Sequence, residues 1–227
     1  MHNERVRSPV SRSALSLVAL ATASTLVVGG CSSGSDASGG DDSSASASSA
    51  SSPSPSSTVK VPDGTKLTEQ GSNLGLAVGA RVIFEPSVGR GSVLDLTVNK
   101  IRRGRLSDFK GFILDDAYKK NASYYYVSVH VKNVGESDVG GVPVPLWGVN
   151  QANTLLPAVN FTTRFARCPS QPLPKKFGPG KTISTCLVYL SPGKGKLTGV
   201  SYRPSQEFNP ITWRGTVLPP ATGPKKG

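Results

Sequence analysis

Residues 124–133, YYYVSVHVKN, form the stretch that decides the fold of this 227-residue chain. Apolar and polar side chains alternate along it. Because neighbouring side chains of a strand point to opposite faces, the pattern predicts a β-strand with one buried face. One face carries Tyr125, Val127, Val129 and Val131, and the other carries Tyr124, Tyr126, Ser128, His130 and Lys132.

Comparable short segments lie on both sides of this strand. Residues 92–101 alternate in the same way, which is typical of a half-buried strand in an antiparallel sheet. Further strands are predicted at 80–84, 142–149, 155–161, 182–190, 200–203 and 211–213. The apolar patch at 109–114 predicts a short helix or turn that covers a sheet edge. Seven to nine short strands joined by Gly/Pro turns predict an all-β, antiparallel two-sheet sandwich.

The N-terminus has the features of a bacterial export signal. Three arginines precede the uncharged run at 14–30, which is near the lower length limit for a membrane-spanning helix. The run leads into residues 27–31, VVGGC, which resemble the bacterial lipobox. We therefore expect a signal peptide at 1–30, cleavage between Gly30 and Cys31, and a lipid on the Cys31 sulfur. The alternative is an uncleaved anchor, which leaves the domain on the same side of the membrane.

Residues 32–58, SSGSDASGGDDSSASASSASSPSPSST, contain no large apolar side chain. No burial offsets the entropy of ordering them, so the composition predicts a disordered tether. Such a tether has a typical end-to-end distance of roughly 30 Å and reaches about 90 Å at most. It would hold a folded domain at 59–220, followed by a loose tail at 221–227, on the extracellular face of the cell membrane.

Basic charge is concentrated in the predicted domain. The whole chain has 26 Lys and Arg against 14 Asp and Glu. Residues 1–30 hold three arginines and Glu4, and residues 32–58 hold three aspartates and no basic residue, which leaves 23 basic against 10 acidic residues for the domain together with its tail, residues 59–227. This surplus favours anionic wall polymers or headgroups as partners, whereas nucleic acid is not expected. The alternative is that the charge serves solubility and a weak, salt-screened attraction to the envelope.

Three segments resemble small immunoglobulin-like domains of actinobacterial and other Gram-positive lipoproteins, a secreted-antigen-like family. Residues 125–135, YYVSVHVKNVG, are similar to a strand of these domains. The FGPGK sequence at 177–181 with LVYL at 187–190, and ITW at 211–213, are similar to two later strands. The resemblance extends over about residues 64–213. It implies an immunoglobulin-like sandwich, and its motifs are structural, with no catalytic signature.

Side chains for catalysis or metal binding are scarce in the predicted domain. His130 is its single histidine, and no G-x-S-x-G nucleophile elbow is present, so we expect no catalytic triad. One histidine and two cysteines are too few for a zinc site, and the initiator is the single methionine, which disfavours copper binding. We therefore predict no catalytic residue, cofactor or metal.

The two remaining cysteines are Cys168 and Cys186. In an exported domain such a pair becomes a disulfide, and the spacing is not that of a C-x-x-C redox motif. Closing this loop stabilises the fold by about 3 kcal/mol in the chain-entropy model. We predict a structural disulfide.

Two features mark a possible binding surface. Tyr124 and Tyr126 lie on the polar face of the decisive strand, where exposed aromatic side chains can bind a sugar or a protein. They are equally well explained by packing against the second sheet. Arg102, Arg103 and Arg105 form a basic cluster nearby in sequence.

Together these patterns predict a lipid-anchored extracellular protein whose monomeric domain is a non-enzymatic binding module. Its partners would be the membrane, through Cys31, and a wall polymer or an envelope protein. One alternative is an accessory subunit that positions an envelope enzyme or transporter. A second alternative, a cryptic hydrolase, predicts a pocket with convergent polar groups.

Overall fold

A computed structural model describes residues 58–114 and 116–221, which form ten strands in two five-stranded sheets. The predicted signal peptide, Cys31, nearly all of the tether and residues 222–227 lie outside the described residues. The strands are β1 (Asn73–Gly75), β2 (Gly79–Ser87), β3 (Arg90–Arg103), β4 (Ser123–Asn133), β5 (Trp147–Asn150), β6 (Leu155–Leu156), β7 (Thr182–Ser191), β8 (Leu197–Tyr202), β9 (Ile211–Arg214) and β10 (Val217–Leu218).

The first sheet is built around β4, the strand on which the sequence is clearest. Its neighbours are β3 and β7, both antiparallel, so that Val129 lies opposite Val98 on one side and Thr185 on the other. On its far side, β3 pairs with β2 near its beginning and with β10 near its end. The strand order is therefore β2 or β10, then β3, β4 and β7, which leaves β7 at the edge.

The second sheet has the order β1-β9-β8-β5-β6. Its middle strands are antiparallel, with Val200 of β8 opposite Trp213 of β9 and Gly148 of β5. The pairs β1–β9 and β10–β3 are parallel. The all-β class and the two-sheet sandwich are thus confirmed, and these two parallel pairs are additions to the antiparallel pattern that the sequence predicted.

The core lies between the sheets. It contains the predicted buried face of β4, together with inward side chains of β3, β7, β8 and β9. The largest fully buried side chains there include Trp213, Tyr189, Tyr202, Phe177, Leu94 and Leu96. Their polar atoms have partners: the indole nitrogen of Trp213 donates to the Val78 carbonyl at 2.7 Å, and the Tyr125 hydroxyl donates to the Gly195 carbonyl at 3.1 Å. Burial therefore leaves these donors satisfied.

Two predicted strands are much shorter than expected. The strand predicted at 142–149 begins only at Trp147, because Pro143 and Pro145 have no N–H to donate to a sheet. The strand predicted at 155–161 has only the two residues of β6, since Pro157 follows directly. After that proline the chain moves to the other sheet, where the Val159 N–H donates to the Val188 carbonyl of β7 at 2.8 Å.

Helical structure in the described ranges consists of one short helix, α1 (Ala117–Lys120), and the 3-10 turns Leu106–Phe109 and Pro192–Lys194. None of them is long and apolar enough to cross a membrane. The Leu106–Phe109 turn overlaps the apolar patch predicted at 109–114 only at Phe109. It packs on the outer face of the first sheet rather than along an edge, because its aromatic side chain meets the outward tyrosines of β4.

Candidate functional site: a proline-lined groove

The outer face of the first sheet carries a second cluster of buried rings. We call this cluster the aromatic layer; its members are Phe109, Phe112, Tyr124, Tyr126, Phe161 and Phe165. Phe109 lies at its centre, with ring centroids 4.3 Å from Tyr124 and 4.8 Å from Phe165. The layer covers the N-terminal half of β4, whereas Lys132 at the other end of the same face is exposed.

A disulfide joins the loop above the aromatic layer to the edge strand. Cys168 and Cys186 are bonded, with their Cα atoms 5.0 Å apart, as the sequence predicted. Ser170 holds the same loop by hydrogen bonds to two other segments. Its hydroxyl donates to the Val159 carbonyl at 2.6 Å and accepts from the Val188 N–H at 3.1 Å. Its own N–H donates to the Cys186 carbonyl at 2.8 Å. The edge of β7 is thus covered at this point.

The layer changes the role expected for the two tyrosines. Tyr124 is buried, with 3% of its surface exposed, and its hydroxyl donates to the Lys119 carbonyl at 2.6 Å. Tyr126 is half-buried, and its hydroxyl donates to Asp108 at 2.9 Å. Burial, the largest cause for both groups, raises the pKa of each phenol. The expected exposed aromatic pair is therefore wrong for Tyr124, and the cover is a loop layer rather than the second sheet.

The three predicted arginines lie at the end of β3 beside this layer. Arg102 is opposite Tyr126 in the sheet, and its guanidinium donates to the Pro219 carbonyl at 2.8 Å. Arg103 donates to the Ser123 hydroxyl at 3.4 Å. Arg105 is exposed, and its backbone N–H donates to Asp108 at 2.9 Å. The structure thus brings the arginines and tyrosines together, with Arg103 and Arg105 as the exposed members.

A groove of about 500 Å³ opens between the two sheets, away from the predicted surface. Proline is the common residue of its walls. We call it the proline groove; it is lined by Phe84, Glu85, Pro86, Val142, Pro143, Val144, Pro145, Leu146, Trp147, Pro157, Ala158, Asn160, Ser170, Gln171, Pro172, Leu187, Arg203 and Pro204. Two aromatic side chains line the groove. Phe84 is buried, whereas Trp147 has 37% of its surface exposed to solvent.

Core hydrogen bonds fix the walls of the groove. The Tyr189 hydroxyl donates to the Leu146 carbonyl at 2.9 Å, and the Leu173 N–H donates to the Val142 carbonyl at 2.9 Å. The preceding turn is held by Asp138, whose carboxylate accepts the N–H groups of Gly140 and Phe177 at 2.8 and 3.2 Å. These backbone donors lower the pKa of Asp138. The irregular segment 142–146 is therefore anchored at both ends.

Most polar side chains at the groove are engaged by the protein itself. The guanidinium of Arg203 donates to the carbonyls of Ser205 and Gln206 at 3.3 and 2.7 Å. Glu85 accepts from the Thr58 hydroxyl at 3.1 Å, and Ser170 makes the loop contacts described above. The groove thus offers an apolar surface with a few polar groups at its margin, an arrangement typical of ligand sites.

His130 lies away from the groove, on the open half of the outer face. Its Nδ1 atom is 3.0 Å from the hydroxyl of Ser184 on the neighbouring strand. Within the described ranges, no group of three or more His, Cys, Asp or Glu side chains is close enough to hold a metal ion. The histidine and the groove therefore form no common site.

Sequence reasoning did not predict the groove. Its signal is the set of prolines at 86, 143, 145, 157, 172 and 204, which lie in every lining segment except β7. Each proline was visible in the sequence, but their convergence depends on which strand ends meet in space.

No protein-family model and no curated protein sequence matches this chain. Among solved structures, the domain is similar to MPT63, a secreted protein of Mycobacterium tuberculosis, with 11% sequence identity and a TM-score of 0.43. The match covers 65% of this chain and 100% of the other.

Proposed function

We propose that this protein is a membrane-anchored extracellular lipoprotein whose domain is a non-enzymatic binding module, and that its ligand occupies the proline groove. The observation that carries the proposal is the groove itself. Its volume suits a small organic ligand or a short segment of a polymer. Displacing water from its apolar walls makes the free energy of binding more favourable.

The walls of the groove support binding because they are largely fixed before a ligand arrives. Prolines restrict the backbone, and the hydrogen bonds from Tyr189 and Leu173 hold segment 142–146 in place. A ligand therefore orders little of the protein when it binds, which lowers the entropic cost of association. Trp147 adds a partly exposed indole, a side chain enriched where binding energy is concentrated.

The polar groups of the groove support binding rather than hydrolysis. A nucleophilic serine needs a base within hydrogen-bond reach, but the Ser170 hydroxyl is hydrogen-bonded to two backbone groups. His130 lies on the outer face of the sheet instead. Asn160 and Gln171 remain at the margin as neutral hydrogen-bonding groups that orient a ligand.

The lipid anchor is supported by the motif at Cys31, and the groove lies where a tether would join the domain. Thr58, the first described residue, contacts Glu85 in the groove wall. The N-terminal peptide of the mature protein is expected to begin at Cys31 and to carry the mass of a diacylglycerol. A peptide that begins upstream, or an unmodified cysteine, contradicts the anchor by mass spectrometry without affecting the groove.

Tryptophan fluorescence tests the groove directly. The chain has two tryptophans, of which Trp147 lines the groove and Trp213 is buried. Titration of the purified protein with the lipid, polymer and protein fractions of a cell-envelope extract is expected to shift the emission with at least one fraction. The shift should be absent in Trp147→Phe. Gln171→Arg, which places a charge at the groove, should lower the affinity measured in the titration by about tenfold.

Gln151→Arg is the matched control, because Gln151 is exposed, lies outside the groove lining and receives the same substitution. It should leave the titration unchanged. The proposal is contradicted if no fraction shifts the emission, or if Gln151→Arg reduces the affinity as much as Gln171→Arg does. Chemical conversion of the bound compound, followed by chromatography, would contradict the non-enzymatic assignment alone.

A further inference from the structure

The loops over the aromatic layer form one end of the sandwich, which we call the basic cap: residues 105–114, 116–120, 163–167 and 192–194. Contacts join these pieces to one another. Phe165 stacks on Phe109, Arg167 lies 3.4 Å from Asp108, and the Lys194 N–H donates to the Asn121 carbonyl at 2.7 Å. Residues 105–114 and 116–120 belong to one stretch of the chain, and Asn121 directly follows it. The cap is therefore a single surface to which three stretches of the chain contribute.

Exposed apolar side chains are concentrated on this cap. Among the described residues six large hydrophobic side chains are exposed, and three of them lie here: Leu106 at 48%, Ile113 at 84% and Tyr118 at 52%. The rings beneath them are already packed into the aromatic layer, so these three side chains contribute nothing to that packing. Their exposure costs solvation free energy that a contacting apolar phase would recover.

The same segments carry six exposed basic side chains. Arg105, Lys110, Lys120, Arg164, Arg167 and Lys194 are all exposed. The acidic groups are fewer: Asp108 is largely buried and paired with Arg167, Asp116 lies 3.1 Å from Lys119, and the sequence adds Asp115. The cap therefore combines a net positive charge with projecting aliphatic and aromatic side chains.

We infer that the basic cap docks onto the surface of an anionic lipid bilayer. Basic side chains near such a surface are attracted to its headgroups, and apolar side chains enter the boundary between headgroups and acyl chains. A soluble polyanion would match the charge but would offer nothing to Ile113, the most exposed of the three apolar groups. The combination of charge and apolar exposure thus favours a membrane over a wall polymer.

The position of the cap gives this docking a consequence. Thr58, where a tether would join, lies at the end of the sandwich marked by Glu85 and Glu136, whereas the cap lies at the opposite ends of β3 and β4. A strand of 11 residues, the length of β4, spans about 35 Å. Docking would therefore turn the domain so that its far end meets the bilayer, within the reach predicted for the tether.

Quenching by brominated lipids tests the inference on the whole protein. Ile113→Trp places a reporter on the cap, and Val88→Trp places one on an exposed turn at the opposite end. Both proteins are reconstituted into vesicles of dibrominated phosphatidylcholine with about one quarter phosphatidylglycerol. The tryptophan introduced by Ile113→Trp should be quenched about threefold more strongly than the one introduced by Val88→Trp, because bromine quenches only within the bilayer.

Charge provides the second arm of the test. Replacing Lys110, Lys120 and Arg164 together by Gln should lower the docked fraction by about tenfold or more, and vesicles without phosphatidylglycerol should have the same effect. Equal quenching at the two positions overturns the inference. Quenching that is the same on vesicles with and without phosphatidylglycerol also overturns it. Retention on a polyphosphate column that survives Ile113→Ser, without quenching on vesicles, overturns it in favour of a polymer partner. Loss of the lipid on Cys31 would appear separately, as weaker association of both proteins with the vesicles, while the reporter introduced by Ile113→Trp stays the more strongly quenched of the two in the bound fraction.

Discussion

The two faces of the first sheet are covered in different ways. The inner face meets the second sheet across a continuous core. The outer face is covered by the aromatic layer only where the N-terminal half of β4 lies. On β4 the inward Val127 and Val129 are almost fully buried, whereas on the outward side Tyr124 is buried, Tyr126, Ser128 and His130 are half-buried, and Lys132 is exposed.

This difference shows how each kind of cover is held. The inner face is closed by strand pairing, because the register of β3, β4 and β7 points every second side chain at the other sheet. The outer cover has no strand of its own. It is held by the disulfide, by Ser170 and by hydrogen bonds to Asp108, each of which joins a loop to the sheet. We therefore expect the layer to open at a lower free energy than the core.

A matched pair of phenylalanines gives the largest expected effect. Phe177 belongs to the core and Phe165 to the aromatic layer, and both are almost fully buried. Phe177→Ala should lower the free energy of unfolding by about 4 kcal/mol, in the range for buried aromatic side chains. Phe165→Ala should lower it by about 2 kcal/mol, because the loop above can collapse or open locally. Urea unfolding measures both.

Hydrogen exchange separates the two regions in the same variants. Phe165→Ala should speed exchange only in the loops of the aromatic layer, and Phe177→Ala should speed it throughout the sheets. Equal losses in stability with the same exchange pattern would mean that the core and the layer unfold as one unit, and the comparison would no longer hold.

The disulfide is expected to have the next largest effect. The Cys168→Ala/Cys186→Ala double variant should lower the free energy of unfolding by about 3 kcal/mol, because the unfolded chain regains the conformational entropy that the cross-link removes. The loss should appear as an opened layer over an intact sandwich. Nitration of Tyr124 should then rise while Tyr189, buried in the core, stays protected. If Tyr124 stays protected, the aromatic layer is held closed by Ser170 and the ring contacts rather than by the disulfide.

Acid should have a smaller effect, at the turn that Asp138 holds next to the proline groove. The pKa of Asp138 is lowered by the N–H groups of Gly140 and Phe177. Because the pKa is lower in the folded state, the ionised Asp138 carboxylate stabilises the fold above the ordinary pKa of 3.8. This stabilisation is lost as the pH falls from that value through the lowered pKa of the folded state. Asp138→Asn should therefore be less stable than the native protein at pH 7, and the difference should shrink in urea unfolding below about pH 4. A constant difference across this range contradicts the assignment.

Much of the sandwich could be predicted, because alternation along a strand is a local property. The inward face of β4 and the position of β3 followed from it, and short runs between Gly/Pro turns indicated β2, β7, β8 and β9. The two parallel strands β1 and β10 did not, since three and two residues are too few to carry a period. The segments at 142–146 and 157–161 were assigned to strands because their apolar content resembles a buried strand, although proline prevents the pairing.

The site was less accessible to sequence reasoning. Tyr124 and Tyr126 lie on the face that alternation marks as polar, and nothing local to β4 indicates that distant phenylalanines cover them. The proline groove has the same difficulty, since its walls come from the ends of strands in both sheets. The cysteine pair was an exception, because an even number of thiols in an exported domain restricts the pairing by itself.

The sequence by itself determined the all-β class, the buried face of β4 and the Cys168–Cys186 bond, because periodicity and thiol chemistry depend on residues near one another or on their number. Only the tertiary structure decided which outward side chains are buried, where the prolines converge and which loops share the basic cap. These features depend on contacts between segments far apart in the chain, and such contacts follow from strand order and loop packing rather than from any local pattern.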